Sequence, residues 1–237
     1  MINLFRLIRK SLLESGHFRR YVLYAVGEIA LVVIGILIAL QINNWNEWRK
    51  DRIKEIATLE SVSKNLSRNC DLLEESLNTI TSLNKSSAII LDLFFSDAEY
   101  HDSLTIHFVM AGRNGVMMGL ISYEGYEAYK NEGFDIILSD SVKNSILELY
   151  EVEYPSIEKF RALLIGKTNN EQYSILSSYF RKYVPLDFAS LKQSNEMYER
   201  FAGIKAFRQL FEAVLSSSYN ESQRVLNVVN EEIIRLK

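Results

Sequence analysis

From Tyr21 to Leu40 the chain runs for twenty residues, YVLYAVGEIALVVIGILIAL, with a single charge, Glu28. No other feature limits the fold as much, because a helix of that length measures about 30 Å, the thickness of a bilayer's hydrocarbon core. The spacing predicts one transmembrane helix over residues 21–44. Tyr21 and Tyr24 stand at one edge and Trp45 and Trp48 at the other, where amphipathic rings favour the headgroup level. Tyr21, Trp45 and Trp48 are therefore the expected interface anchors. Ile29 to Leu40 is apolar without a break, and its basic flanks and aromatic ends argue against the core helix of a soluble protein. Leu40-Gln41-Ile42-Asn43-Asn44 offers no small-x-small cleavage site, so an uncleaved anchor is expected.

This helix is not uniform around its circumference. At about 100° per residue, Tyr24, Glu28, Gly35, Ala39 and Asn43 fall near one line, while Val26, Ile29, Val33, Ile34, Leu37 and Leu40 cover the opposite side. Gly35 and Ala39 form a small-xxx-small pair that lets another backbone approach, and a carboxyl at Glu28 is costly against lipid. Tyr24, Glu28, Gly35, Ala39 and Asn43 are the candidate association face, for a second copy or another membrane protein. The competing reading is a Glu28 reached by water at the membrane edge.

Before the anchor, residues 1–20 carry Leu4, Phe5, Ile8 and Leu12 beside Arg6, Arg9 and Lys10. That pattern predicts a basic amphipathic segment lying on the bilayer surface among anionic headgroups. Five Arg/Lys precede the span, and four, Arg49, Lys50, Arg52 and Lys54, follow it closely, so the positive-inside count is nearly even. Translocating a short tail with five positive charges is the costlier choice, whereas long domains cross largely regardless of charge. The expected orientation is N-terminus in the cytoplasm and large domain outside.

Residues 45–237 form the expected helical-bundle domain of an all-α chain. Only two prolines and ten glycines occur in 237 residues, sparse punctuation that favours long helices. Apolar residues recur at Ile53, Ile56, Leu59, Val62, Leu66, Cys70, Leu73, Leu77, Ile80 and Leu83, which predicts a long amphipathic helix to about Phe95. The stripe drifts between heptad registers, with Asn69 and Ser76 interrupting one, so bundle packing is expected over a strict coiled coil. A short helix and loop are expected over 96–122, with an Asn114-Gly115 hairpin as the alternative. Further helices follow at Tyr123–Asn131, stopped by Gly133, and after Ser139 as N-cap, with an extended link at Phe134–Leu138. Pro155 is expected to kink or interrupt the next helix. Apolar periodicity then continues through Ile157, Phe160, Leu164, Ile165, Tyr173, Leu176, Phe180 and Tyr183 to a stop before Pro185. Leu186–Lys192 reads as a connector, and a last helix starts near Asn195 or after Gly203. These helices are expected to fold back on the long one as an antiparallel bundle.

The chain resembles a family of uncharacterised bacterial single-pass membrane proteins, a domain of unknown function, in two blocks. The first is GEIALVVIGILIALQINNWNEWRK, Gly27 to Lys50, and the second is SYEGYEAYKNEGFDIILSDSVKNSILELYEVEY, Ser122 to Tyr154. At Tyr129 this chain departs from the leucine the family often carries. The resemblance implies an envelope protein of Gram-negative bacteria, hence an inner-membrane anchor with a periplasmic domain. It supplies no activity and no catalytic residues.

Chemistry-bearing patterns are few. His101 and His107 lie near Asp97, Glu99 and Asp102, but six residues apart they share a face only on a strand, so a solvated loop is expected over a metal site. Tyr123, Tyr126 and Tyr129 fall at i, i+3, i+6 and read as helix packing in preference to a ligand cage. Cys70, the only cysteine, sits on the apolar stripe as a small hydrophobe. No phosphate loop, nucleophile elbow or HExxH motif occurs. No cofactor is expected, and the acidic balance beyond residue 44 argues against a nucleic-acid partner. The expectation is a membrane-anchored structural or interaction component of an envelope complex, not an enzyme. The alternative is an extracytoplasmic ligand sensor acting through a partner.

Overall fold

The computed structural model describes residues 18–113 and 121–237, with the side chains of 18, 20, 21, 164 and 166–177 outside that description. The expected surface segment of residues 1–17 and the Asn114-Gly115 turn lie outside the described residues. The chain divides into two units, Met1–Lys54 and Glu55–Lys237. One helix, α1 (Phe18–Leu93), supplies the described part of the first and the opening element of the second.

In the second unit α1 is joined by α2 (Leu104–Gly112), α3 (Glu124–Glu132), α4 (Asp140–Glu148), α5 (Tyr154–Tyr179), α6 (Phe188–Lys192) and α7 (Asn195–Leu236). Among the described residues the only strands are β1 (Phe180–Arg181) and β2 (Val184–Pro185). The buried residues of α1 include Leu59, Val62, Leu66, Asn69, Leu73, Ser76, Ile80, Leu83, Ser87 and Ile90, a strict alternation of three and four. Asn69 and Ser76 therefore do not break the stripe; they are members of the seam. α7 answers with Phe201, Arg208, Phe211, Leu215, Ser218, Ser222, Val225 and Val229.

The two long helices run antiparallel, and their polar pairs set the register. Lys237 meets Glu60 at 2.7 Å. Ser63 Oγ donates to Asn230 Oδ1 at 2.6 Å, Thr81 Oγ1 donates to Glu212 Oε1 at 2.6 Å, and Arg208 donates to Ser87 Oγ. As α1 advances, its partner on α7 retreats, which is the return expected of the last helix. The middle helix runs the other way, with α1. Glu55 Oε1 accepts from the Leu138 amide at 2.9 Å, Tyr150 Oη reaches Asn65 Oδ1 at 2.7 Å, and Phe180 ends beside Ile90 in one apolar cluster. The long connection between α1 and α4, carrying α2 and α3, makes this possible, because it crosses back before the middle helix begins.

Several local expectations change. Phe134–Leu138 is not extended throughout, since Phe134–Ile136 forms a 3₁₀ turn behind Gly133, whose φ is +94°. Ser139 caps α4 by accepting from the Val142 amide, as expected. Near Pro155 the α-helix is interrupted, as expected, but not ended. Leu149–Glu153 widens into a π turn, and the Tyr154 amide donates back to the Leu149 carbonyl. The widened turn accommodates a ring that lacks an N–H and would press on the preceding turn of a regular helix.

The expected stop before Pro185 comes earlier, at Tyr179. Phe180 pairs with Pro185 and Arg181 with Val184, which leaves Lys182 and Tyr183 as a two-residue loop at φ +50° and +69°. Positive φ at both positions is the type I′ hairpin turn, whose twist matches the strands it joins. The connector after it contains α6, whose first amides, Ala189 and Ser190, are held by Asp187 Oδ1. The last helix starts at Asn195, not after Gly203, and Ser194 caps it.

Candidate functional site

The five residues predicted to form an association face all lie on the first unit's part of α1. Tyr24 and Glu28 are half-buried, and Gly35, Ala39 and Asn43 are exposed. Helical periodicity alone brings them together. A Cβ added at Gly35 meets nothing within 4 Å, so the space beside its backbone is open. Asn43 Nδ2 donates to Glu47 Oε1 at 3.0 Å, one turn on. Trp45 and Trp48 are exposed, and the Arg52 guanidinium lies 5.4 Å above the Trp48 ring. The side chain of Tyr21 lies outside the described residues. The helix is long and apolar enough to cross a membrane, with a mean hydropathy of 2.6 over an 18-residue window of which none is buried.

In the second unit, Tyr123, Tyr126 and Tyr129 are drawn into an aromatic cluster with Tyr150, Tyr154 and Phe134. Tyr126 stacks on Tyr150 with centroids 4.6 Å apart and planes 6° from parallel, and Tyr154 meets Tyr150 edge-on at 5.0 Å. Each hydroxyl of the buried members has a partner. Tyr126 donates to Glu151 at 2.5 Å, Tyr129 to the Phe134 carbonyl at 3.0 Å and Tyr150 to Asn65, while Tyr154 shares a hydrogen bond with Ser222. Burial lifts the phenols of Tyr126, Tyr150 and Tyr154 well above their ordinary range and pushes Tyr129 up to about 12. These groups stay protonated at neutral pH and act as packing and hydrogen-bonding groups, not as a ligand cage. Cys70 is buried, and burial pushes its thiol up to about 11.

Sequence reasoning missed Arg208. Its side chain is fully buried, and NH1 donates to the carbonyls of Met110 and Arg113 while NH2 donates to Ala111 O and Ser87 Oγ. The guanidinium thus gathers the carbonyls at the end of α2, where the helix dipole favours a cation. Burial alone draws its pKa down to about 10. The signal was present, because Arg208 keeps the three-and-four step of Phe201, Phe211 and Leu215.

With Thr81, Asn84 and Ser87 of α1 and Glu212 of α7, Arg208 forms a polar layer. One apolar cluster, which includes Leu59 to Ile80 and Phe211, lies to one side of it, and a second, built on Ile90, Phe108, Phe180 and Phe201, lies to the other.

His101 and His107 take hydroxyl partners. His101 Nδ1 lies 3.0 Å from Ser103 Oγ and His107 Nδ1 3.2 Å from Ser86 Oγ. Among the described residues no group of three His, Cys, Asp or Glu side chains is arranged to hold a metal. A groove lined by Asp71, Glu74, Glu75, Asn78, Thr79 and Ser82 is open and lies on one exposed helix face.

Residues 28–99 match the model of a Family of unknown function (DUF6090). No curated protein and no solved structure matches the chain. The DUF6090 match takes in Glu28, Gly35, Ala39 and Asn43, all of the Gly27–Lys50 block but its first residue, and the buried seam of α1 from Leu59 to Ile90. The Ser122–Tyr154 block and Arg208 lie beyond the match.

Proposed function

We propose that the chain is a membrane-anchored interaction protein of the bacterial envelope, with α1 crossing the inner membrane once and the helical bundle held in the periplasm. In this reading it performs no chemistry of its own and associates in the bilayer, with a second copy or another membrane protein, through Tyr24, Glu28, Gly35, Ala39 and Asn43. The N-terminus stays in the cytoplasm because five basic residues precede the span.

One observation carries the reading. No residue in the window of α1 with mean hydropathy 2.6 is buried. About 25 cal/mol for each Å² of such surface left in water makes an uncovered apolar helix untenable, so lipid covers it. Lipid suits Val26, Val33, Leu37 and Leu40. It suits a carboxyl poorly, whereas a partner helix at Gly35 and Ala39 gains close packing and shelters Glu28.

Crosslinking in native membranes tests the reading, using wild type, Glu28→Leu and Gly35→Ile. Loss of the crosslinked species in both variants, with membrane insertion retained, is the expected result. Crosslinking unchanged in both variants defeats the association face, and chain recovered in the soluble fraction defeats the anchor.

A further inference from the structure

Among the described residues, the β1–β2 hairpin is the one place where the bundle presents cations and large apolar side chains together on a strained backbone. Its base is fixed. Phe180 is buried against Phe108 with centroids 5.1 Å apart, the Leu186 amide donates to the Tyr179 carbonyl at 2.9 Å, and Ser194 Oγ donates to Tyr179 Oη. Pro185 faces Phe180 in the register. Between hydrogen-bonded pairs on either side, an antiparallel ladder asks no N–H of that position, so the proline costs the hairpin nothing.

The tip is different. Lys182 and Tyr183 both hold positive φ without being glycine, a conformation with an energetic cost that asparagine or glycine would have avoided. What the strained turn achieves is display. Arg181 and Lys182 are exposed, and beside them Tyr183 is 45% exposed, Val184 41% and Leu186 57%. None of these side chains has an ion pair or hydrogen bond among the described residues. The unit that carries the tip has 18 basic against 26 acidic side chains from Glu55 onward, so two adjacent cations flanked by apolar groups stand out in a net acidic unit.

We infer that this tip docks on an anionic lipid bilayer, with Arg181 and Lys182 meeting the headgroups and Tyr183, Val184 and Leu186 entering the interface. The pairing follows from chemistry on both sides. Lysine and arginine are drawn to phosphate-rich leaflets, tyrosine favours the headgroup level, and valine and leucine gain from leaving water. An acidic protein surface or a charged polymer satisfies the cations alone and leaves three exposed apolar side chains without a partner. The tip is independent of the association face on α1, so either proposal survives the failure of the other.

The test uses the full chain in nanodiscs of phosphatidylcholine, mixed with vesicles of phosphatidylcholine with or without phosphatidylglycerol and separated by flotation. The expected result is co-flotation with the anionic vesicles only. Binding should fall about tenfold or more in Arg181→Glu/Lys182→Glu. It should also weaken in Tyr183→Ser/Val184→Ser/Leu186→Ser, and be retained in the charge-matched control Lys64→Glu/Lys85→Glu. Absence of flotation, or equal loss in the control, overturns the inference. Full binding by the serine variant also overturns it and assigns the tip to a purely electrostatic partner. A second measurement does not depend on those variants folding. Cys70 is buried, so a polarity-sensitive fluorophore on Tyr183→Cys labels the tip. Its emission should shift to the blue on anionic vesicles, and an unchanged spectrum refutes insertion.

Discussion

Asn69 closes both main-chain groups of Ser122, its Nδ2 donating to the carbonyl and its Oδ1 accepting from the amide, each at 2.9 Å. This one amide side chain fixes the entry of α3 against α1 across 53 residues of sequence. Asn69→Ala leaves a donor and an acceptor without partners in a half-buried site. The expected loss is about 2 kcal/mol, read as a lower melting temperature in detergent. A melting temperature equal to wild type shows that water replaces the amide without cost.

Gly125 and Gly203 make opposite predictions from the same substitution. A Cβ on Gly125 falls 2.6 Å from the Ser61 carbonyl oxygen and 2.7 Å from Asn65 Cβ, so α3 and α1 touch backbone to backbone there. Gly125→Ala should destabilise by about 2 kcal/mol through forced separation of the two helices. Gly203 lies exposed inside α7 with nothing within 4 Å of an added Cβ. Gly203→Ala should stabilise by about 0.5–1 kcal/mol, because a helix interior favours alanine. Parallel thermal melts decide both, and equal effects contradict the packing described.

The buried tyrosines give the bundle an alkaline limit. Their pKa values are raised above the unfolded value of about 10. The protonated folded form is therefore favoured at neutral pH, and this stability is fully present below about pH 10. It is lost as pH rises toward the folded value, which for Tyr129 is about 12. Tyrosinate absorbance and circular dichroism followed together should show exposed phenols titrating first and the rest ionising only as helicity is lost. A single tyrosinate step near pH 10 with helicity intact contradicts the cluster.

Arg208→Lys and Arg208→Met both remove the fork that holds the carbonyls of Met110, Ala111 and Arg113. Lysine keeps the charge but places a single ammonium where two guanidinium nitrogens bond, so a loss of about 2 kcal/mol is expected. Methionine removes the buried charge and leaves the carbonyls unpaired, for a comparable loss. Hydrogen exchange should show the weakening concentrated in α2. Protection in α2 equal to wild type in both variants removes Arg208 from that role.

Much of this architecture was legible residue by residue. The cap Ser139, the end of α3 at Gly133 and the reach of α1 to Leu93 follow from signals confined to a few neighbours. Pro155 and Pro185 differ in how far their effects could be read locally. Pro155 was expected to kink or interrupt its helix and does so through a π turn, whereas Pro185, read as a helix stop, sits at a hairpin position that asks for no N–H. Which of these happens depends on what packs nearby, and local propensity does not contain it.

The sequence by itself determined the membrane-length apolar run with its polar and small face, the all-helical class, and the apolar period of α1 beyond the span. These are set by side-chain order along one helix, and helical geometry converts that order directly into faces. Only the tertiary structure decided that the middle helix runs with α1 and that Asn69 and Ser87 belong to the core. It alone showed that Arg208 is buried at the end of α2, and that Lys182 and Tyr183 are held out at a strained tip. Each of those depends on partners dozens of residues away, whose desolvated hydrogen bonds reward one arrangement over its alternatives.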